Sequence, residues 1–212
     1  MAIPKDISEH LHSDLTVRHT ECGGAIFDRT QKYRYLLWRK LAGNNVLEGI
    51  PGGRPLAGSE ACGKVSDRIL LVMLNPNTAD ESYNDPTIRR CIGFAKSWGY
   101  KQVEVVNLFA YRAKEPQMLK AVRKPVGTYN DEIIRQRAIH ADLCMVAWGN
   151  HGKLKERDEA VLKLLAEFGP VYCLGTTNSG APKHPLYIKS DVNRSRSTEN
   201  LCGAISRRPL QR

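Results

Sequence analysis

An α/β fold is predicted: a three-layer αβα sandwich around a central four-stranded, mostly parallel sheet, with an N-terminal β-hairpin. Three observations predict it. From Ile69 onward, short apolar runs alternate with stretches of helical spacing, the pattern of successive βα units. Two blocks far apart, Leu74-Asn75-Pro76-Asn77-Thr78-Ala79-Asp80 and Pro182-Lys183-His184-Pro185-Leu186-Tyr187, each lie behind an apolar run that reads as a buried strand. Loops at the carboxyl ends of parallel strands converge on one crevice, so these two blocks are expected to meet. Finally, 212 residues at 42% hydrophobic and 25% charged content suffice for one core and exclude a disordered chain.

Residues 1–24 are polar and His-dotted without a clear period and read as a flexible start. Ala25-Ile26-Phe27 and Tyr33 to Arg39 flank Asp28-Arg29-Thr30-Gln31-Lys32, a hairpin pattern. The Gly/Pro-rich stretch 43–63 is long for a connection, hence functional or mobile. Its Pro51-Gly52-Gly53 and Gly58-Ser59-Glu60-Ala61 resemble the opening of a Nudix box, but the paired glutamates that would hold magnesium are missing from 62–68, which excludes that chemistry. A strand over 69–74 follows, then Asp85 and Pro86 open a helix as N-cap and first residue. Ile88, Cys91, Ile92, Ala95 and Trp98 keep helical spacing, and Gly99 ends the run. Strands are expected at 103–108, 141–148 and 171–174, and helices around 116–122, 128–140 and 151–168. The expected organisation is one domain over 25–190 with a basic tail over 191–212.

Charge narrows the partners. The chain carries a net +10, and the segment from Lys183 to Arg212 holds seven basic residues against Asp191 and Glu199. Such an excess favours a polyanion, and Lys183, Lys189, Arg194 and Arg196 are the candidate phosphate contacts; a solvated tail without a partner is the alternative. No apolar run approaches the roughly 18 residues of a membrane span. With no secretory pattern at Met1-Ala2-Ile3-Pro4-Lys5-Asp6, a cytoplasmic protein is expected, with monomer as the default. Six cysteines stand singly at 22, 62, 91, 144, 173 and 202 with no Cys-x-x-Cys pair, so reduced structural thiols are expected and no metal or cofactor.

The chemistry-bearing residues sit at strand ends. Asn75 and Asn77 bracket Pro76, where an amide can orient water or hold a hydroxyl, or simply close a turn. Asp80 could act as a base or a cap; for Asp85 the cap reading leads. His184, clamped by Pro185 beside Lys183, could donate to a developing oxyanion. Asn107 is polar in an apolar strand and must find partners inside the core or above the sheet. Trp148-Gly149 after the third strand is a tight turn or a wall of the same crevice.

Taken in order, Leu74 to Asp80, Asp85-Pro86-Thr87-Ile88-Arg89-Arg90-Cys91, Val106-Asn107-Leu108-Phe109-Ala110, Ala147-Trp148-Gly149 and Pro182 to Tyr187 resemble the family known as domain of unknown function 1643, over roughly residues 25–190. More distantly, the succession strand–Asn-Pro, strand–Asn, strand–Trp-Gly, strand–His-Pro resembles the uracil-DNA glycosylase superfamily. That resemblance implies a glycosylase-like fold and hydrolysis of an N-glycosidic bond at an unusual or modified base. In it Asn75 would position water, Asn107 would read the base edge and His184 would stabilise the departing base. Asp80 would be an auxiliary base, with Asn77, Tyr83, Trp148 and Gly149 lining the base site. Nucleic acid, DNA ahead of RNA, is the implied partner. Leu186-Tyr187 departs from the small residue usual after His-Pro and speaks against extrusion from a duplex. A non-catalytic nucleic-acid-binding module and a hydrolase of free nucleotides or nucleosides are the alternatives.

Overall fold

The structure, a computed structural model, describes residues 11–41 and 68–189. The Gly/Pro-rich stretch 43–63 and the basic tail with Arg194 and Arg196 lie outside the described residues, as do Cys62 and Cys202.

Among the described residues seven strands form one mixed sheet. They are β1 (Leu15–Thr20), β2 (Gly23–Asp28), β3 (Arg34–Lys40), β4 (Arg68–Met73), β5 (Gln102–Asn107), β6 (Leu143–Val146) and β7 (Val171–Cys173). Their spatial order is β1-β2-β3-β5-β4-β6-β7. The first three pairings in that order are antiparallel and the last three parallel. The four predicted parallel strands are therefore present, but the sheet does not stop at four. The hairpin of β2 and β3 joins it through β3 and β5, where Leu37 faces Val105 and Arg39 faces Val103. Nor is residues 1–24 as a flexible segment correct for 15–20, which form the edge strand β1. Only Leu15 of that strand is buried, so its polar face hid the strand period.

Helices α1 (Pro86–Ser97), α2 (Met118–Ala121), α3 (Asn130–Ile139) and α4 (Arg157–Leu165) follow the strands. In β4, alternate side chains feed two cores, as a pleated strand requires. Leu70 and Val72 pack with Ile133 and Ile134 of α3 and Val161 and Leu165 of α4. Ile69, Leu71 and Met73 pack with Ile88, Cys91 and Phe94 of α1. Helices thus cover both faces of the sheet. None of the described helices is long and apolar enough to cross a membrane.

One predicted helix breaks. In place of continuous helix over 151–168, a 3₁₀ segment Gly149–Glu156 precedes α4, and Lys155 and Glu156 take left-handed conformations at φ 56° and 54°. Just past that turn the Arg157 guanidinium lies buried, donating from Nε to the Leu108 carbonyl at 2.9 Å and pairing with Asp131.

Chain order places the crevice. The connection leaving β4 leads toward β5 on one side, whereas that leaving β6 leads toward β7 on the other. Outgoing connections therefore diverge between β4 and β6, the place where an open α/β sheet accepts ligands.

Candidate functional site

A cleft of about 960 Å³ opens at that place, at the upper end of the roughly 300–1,000 Å³ of ligand pockets. It draws on the ends of four strands and the loop after a fifth: Arg34 opens β3, Met73 ends β4 with Leu74 and Asn75 behind it, Asn107 ends β5, Trp148 and Gly149 follow β6, and Thr177 to Ser179 with Lys183 and His184 follow β7. The two blocks that the sequence singled out do meet here.

Asn75 is half-buried, and its Nδ2 donates to the carbonyls of Pro76 at 3.0 Å and Ala113 at 2.7 Å. Both amide hydrogens are thereby committed to the loop, which leaves Oδ1 as the side chain's working atom, an acceptor. Asn107 is 1% exposed, and its Nδ2 has no hydrogen-bond partner among the described residues. Its main-chain carbonyl accepts from Asn130 Nδ2 at 2.9 Å, fixing the strand end that carries it. A buried, unsatisfied donor is costly unless something occupies the cleft to accept from it.

His184 precedes the 3₁₀ turn Pro185–Tyr187, and its Nδ1 accepts from the Leu186 N–H at 3.4 Å. That contact selects the neutral tautomer with the proton on Nε2, a donor. Burial pushes the imidazole below its ordinary value, and the nearby Asp85 carboxylate only partly opposes this. Asp85 does cap α1, with Oδ1 accepting from Ile88 N at 2.9 Å, and it also lines the cleft.

The wall opposite is tied loop to loop. Gly149, at φ 71°, donates its N–H to the Pro182 carbonyl at 2.8 Å, a backbone that a side chain would strain. A Cβ at Gly152 would stand 2.3 Å from Trp148 Cδ1, so this glycine makes room for the indole. Asn150 Oδ1 accepts from the hydroxyls of Thr177 at 2.7 Å and Ser179 at 2.9 Å.

The structure thus brings together Asn75, Asn77, Asn107, Trp148, Gly149, Lys183 and His184 around one cleft. It does not bring Asp80, Tyr83 or Lys189 to its lining. Asp80 Oδ1 instead accepts from the N–H groups of Ser82 at 2.9 Å and Tyr83 at 2.8 Å, closing a turn. Partial burial would raise its carboxyl, but those donors hold it below the ordinary carboxylate range. Tyr83 is exposed on the same turn. Among the described residues Asp85, rather than Asp80, is the carboxylate of the cleft.

Sequence reasoning missed Arg34. It read as one polar residue of a hairpin, yet it is 2% exposed and lines the cleft. The signal available was an arginine between two aromatics at the start of an otherwise apolar strand, Tyr33-Arg34-Tyr35-Leu36-Leu37. Burial pushes the thiols of Cys91 and Cys144 up to about 12 and raises that of Cys173, which disfavours their thiolates.

Fold and site together define a mixed α/β protein with a polar, cation-bearing cleft at the switch point of its sheet. Over residues 34–186 the chain matches the family described as proteins of unknown function, DUF1643, and it belongs to that family. No curated protein and no solved structure matches it.

Proposed function

We propose that the cleft receives a nucleobase and that the protein hydrolyses its N-glycosidic bond, with a nucleic-acid strand as the substrate. The observation that carries this reading is the pair of donors in one cleft, the neutral His184 with its proton on Nε2 and the unpartnered Nδ2 of Asn107. A pyrimidine presents carbonyl oxygens on its edge, and these are the acceptors such donors lack. The order of Asn75, Asn107, Trp148-Gly149 and His184 along the chain, resembling that of the uracil-DNA glycosylase superfamily, supports the same reading.

In the step proposed, the bond from the sugar C1′ to the base nitrogen breaks and its electron pair leaves with the base. Negative charge spreads onto the base oxygens, where a hydrogen bond from His184 Nε2 strengthens as charge develops. Removing one donor to a developing oxyanion costs about 2.7–4 kcal/mol of barrier in acyl-transfer enzymes. Asn75 Oδ1 orients a water whose oxygen bonds to C1′, while its proton passes to solvent or to the departing base. Asp85 supplies negative charge opposite the developing cation at the sugar. Leu186 and Tyr187, exposed at the rim, offer apolar surface to the neighbouring bases of an opened strand.

The test is base release. Labelled single- and double-stranded oligonucleotides carrying uracil, mismatches and modified pyrimidines are incubated with the protein and cleaved by alkali at abasic sites. The expected result is cleavage on at least one substrate, slowed on the order of 10²–10³-fold by His184→Ala and by Asn75→Ala. Absence of abasic sites on every strand overturns the reading. Salt-sensitive oligonucleotide binding would then indicate a binding module, and cleavage of free nucleosides alone would indicate a small-molecule hydrolase.

A further inference from the structure

We propose that Arg34 makes this cleft an anion site, so that the ligand carries an oxyanion, either a carboxylate on its base or a phosphate, which pairs with the guanidinium. The inference rests on reading the cleft as the substrate site and names the chemical class of what enters it.

A buried guanidinium ordinarily stands against a carboxylate, because an uncompensated charge inside a protein is strongly unfavourable. Among the described residues the buried Arg137 and Arg157 obey that rule, with Glu104 and Asp131, while the buried Arg39 spreads its donors over four main-chain carbonyls and Asn84 Oδ1. Arg34 does neither. Its Nη1 donates to the Ala79 carbonyl at 2.6 Å, and among the described residues its Nε has no partner and no carboxylate forms an ion pair with it. Burial pushes the guanidinium down to about 9; Asp85 and Asp80 oppose this only through space, and Arg112 and Arg39 repel it. The charge is held in the wall of the cleft, desolvated and undercompensated.

Two further observations point the same way. The Nδ2 of Asn107, a second buried donor lacking an acceptor, lines the same cleft. The charged side chains of the lining are Arg34, Lys114 and Lys183 against Asp85 alone, an excess that complements an anion. A planar guanidinium with free donors matches the two oxygens of a carboxylate or phosphate, which a lysine in its place would not.

The experiment is isothermal titration of the full chain with deoxyuridine, deoxyuridine 5′-monophosphate and 5-carboxydeoxyuridine. At least one anionic probe should bind ten-fold or more tightly than deoxyuridine; the monophosphate identifies a phosphate site and the carboxylated nucleoside a base carboxylate. Arg34→Lys, which keeps the charge and loses the fork, should remove most of that preference. Lys114→Glu alters an exposed side chain of the same cleft, so its effect does not depend on repacking the core, and it should also lower the preference. Equal binding of all three probes, binding of none, or a preference untouched by Lys114→Glu overturns the proposal. Base release separates the two readings. Anion preference without abasic sites removes the glycosylase reading and leaves this one. Release of an uncharged base, unaffected by Arg34→Lys, does the reverse.

Discussion

His184 shows how one backbone contact sets a side chain's chemistry. The Leu186 N–H occupies Nδ1, so the neutral ring presents its proton at Nε2. Because burial lowers its pKa from 6.5, the folded chain takes up that proton less readily than the unfolded one. The sign follows: this residue's contribution to stability is constant above about pH 6.5 and is lost as the pH falls below it. An NMR titration should place the His184 midpoint below 6.5, and base release should be flat above about pH 7 and fall on the acid side, where the protonated ring can no longer accept from Leu186. A midpoint above 6.5 would contradict the burial described here. That Asn75 and His184 meet at one cleft was legible because proline beside each marked a fixed loop. Arg34 was not, since a single sequence does not show that an arginine's partner is missing.

Helix α3 is fastened to the sheet by a buried ion pair. Arg137 donates from Nε to Glu104 Oε2 at 2.8 Å and from Nη2 to Oε1 at 3.0 Å, and both side chains are 2% exposed. Gln102 Nε2 adds a bond to Oε1 at 2.6 Å. Breaking one partner strands the other's charge, so Glu104→Gln is expected to cost about 3–5 kcal/mol, read as a lowered urea midpoint with an unchanged slope. A shift under about 1 kcal/mol would contradict this pairing, because Arg68, 3.9 Å from the same carboxylate, is a second cation that the substitution also leaves without it. The sequence placed Glu104 in a strand and Arg137 in a helix but offered no hint that they meet. The break at Lys155-Glu156 was equally illegible, because neither residue type announces a left-handed backbone. By contrast α1 was readable to its ends: Asp85 and Pro86 open it, and Gly99, at φ 79°, follows its last turn.

At the scale of the molecule, the alternation of apolar runs and helical stretches foretold the four parallel strands and the position of the cleft. It could not foretell that the hairpin joins the same sheet, because pairing of β3 with β5 joins residues some 65 positions apart, such as Trp38 and Glu104. The excess of positive charge leads to a measurement on the whole chain. Affinity for a single-stranded oligonucleotide, followed by fluorescence anisotropy, should fall steeply as salt rises. Tyr187, 82% exposed at the cleft rim, is placed to stack on a base, and Tyr187→Ala should weaken that binding by about 1–3 kcal/mol. Binding indifferent to salt would remove the polyanion from consideration.

The borders of the sheet bear on how such a protein behaves when crowded. An open strand edge is a template on which another chain can polymerise, and long apolar edges are the dangerous ones. Among the described residues one border is β1, whose Arg18 and His19 break any apolar run, and the other is β7, three residues long and followed by Gly175 at φ 116°. By capping β5 with the hairpin, the fold hides the apolar Val103 and Val105 that would otherwise form a sticky margin. What remains at either side is too polar or too short to seed fibrils.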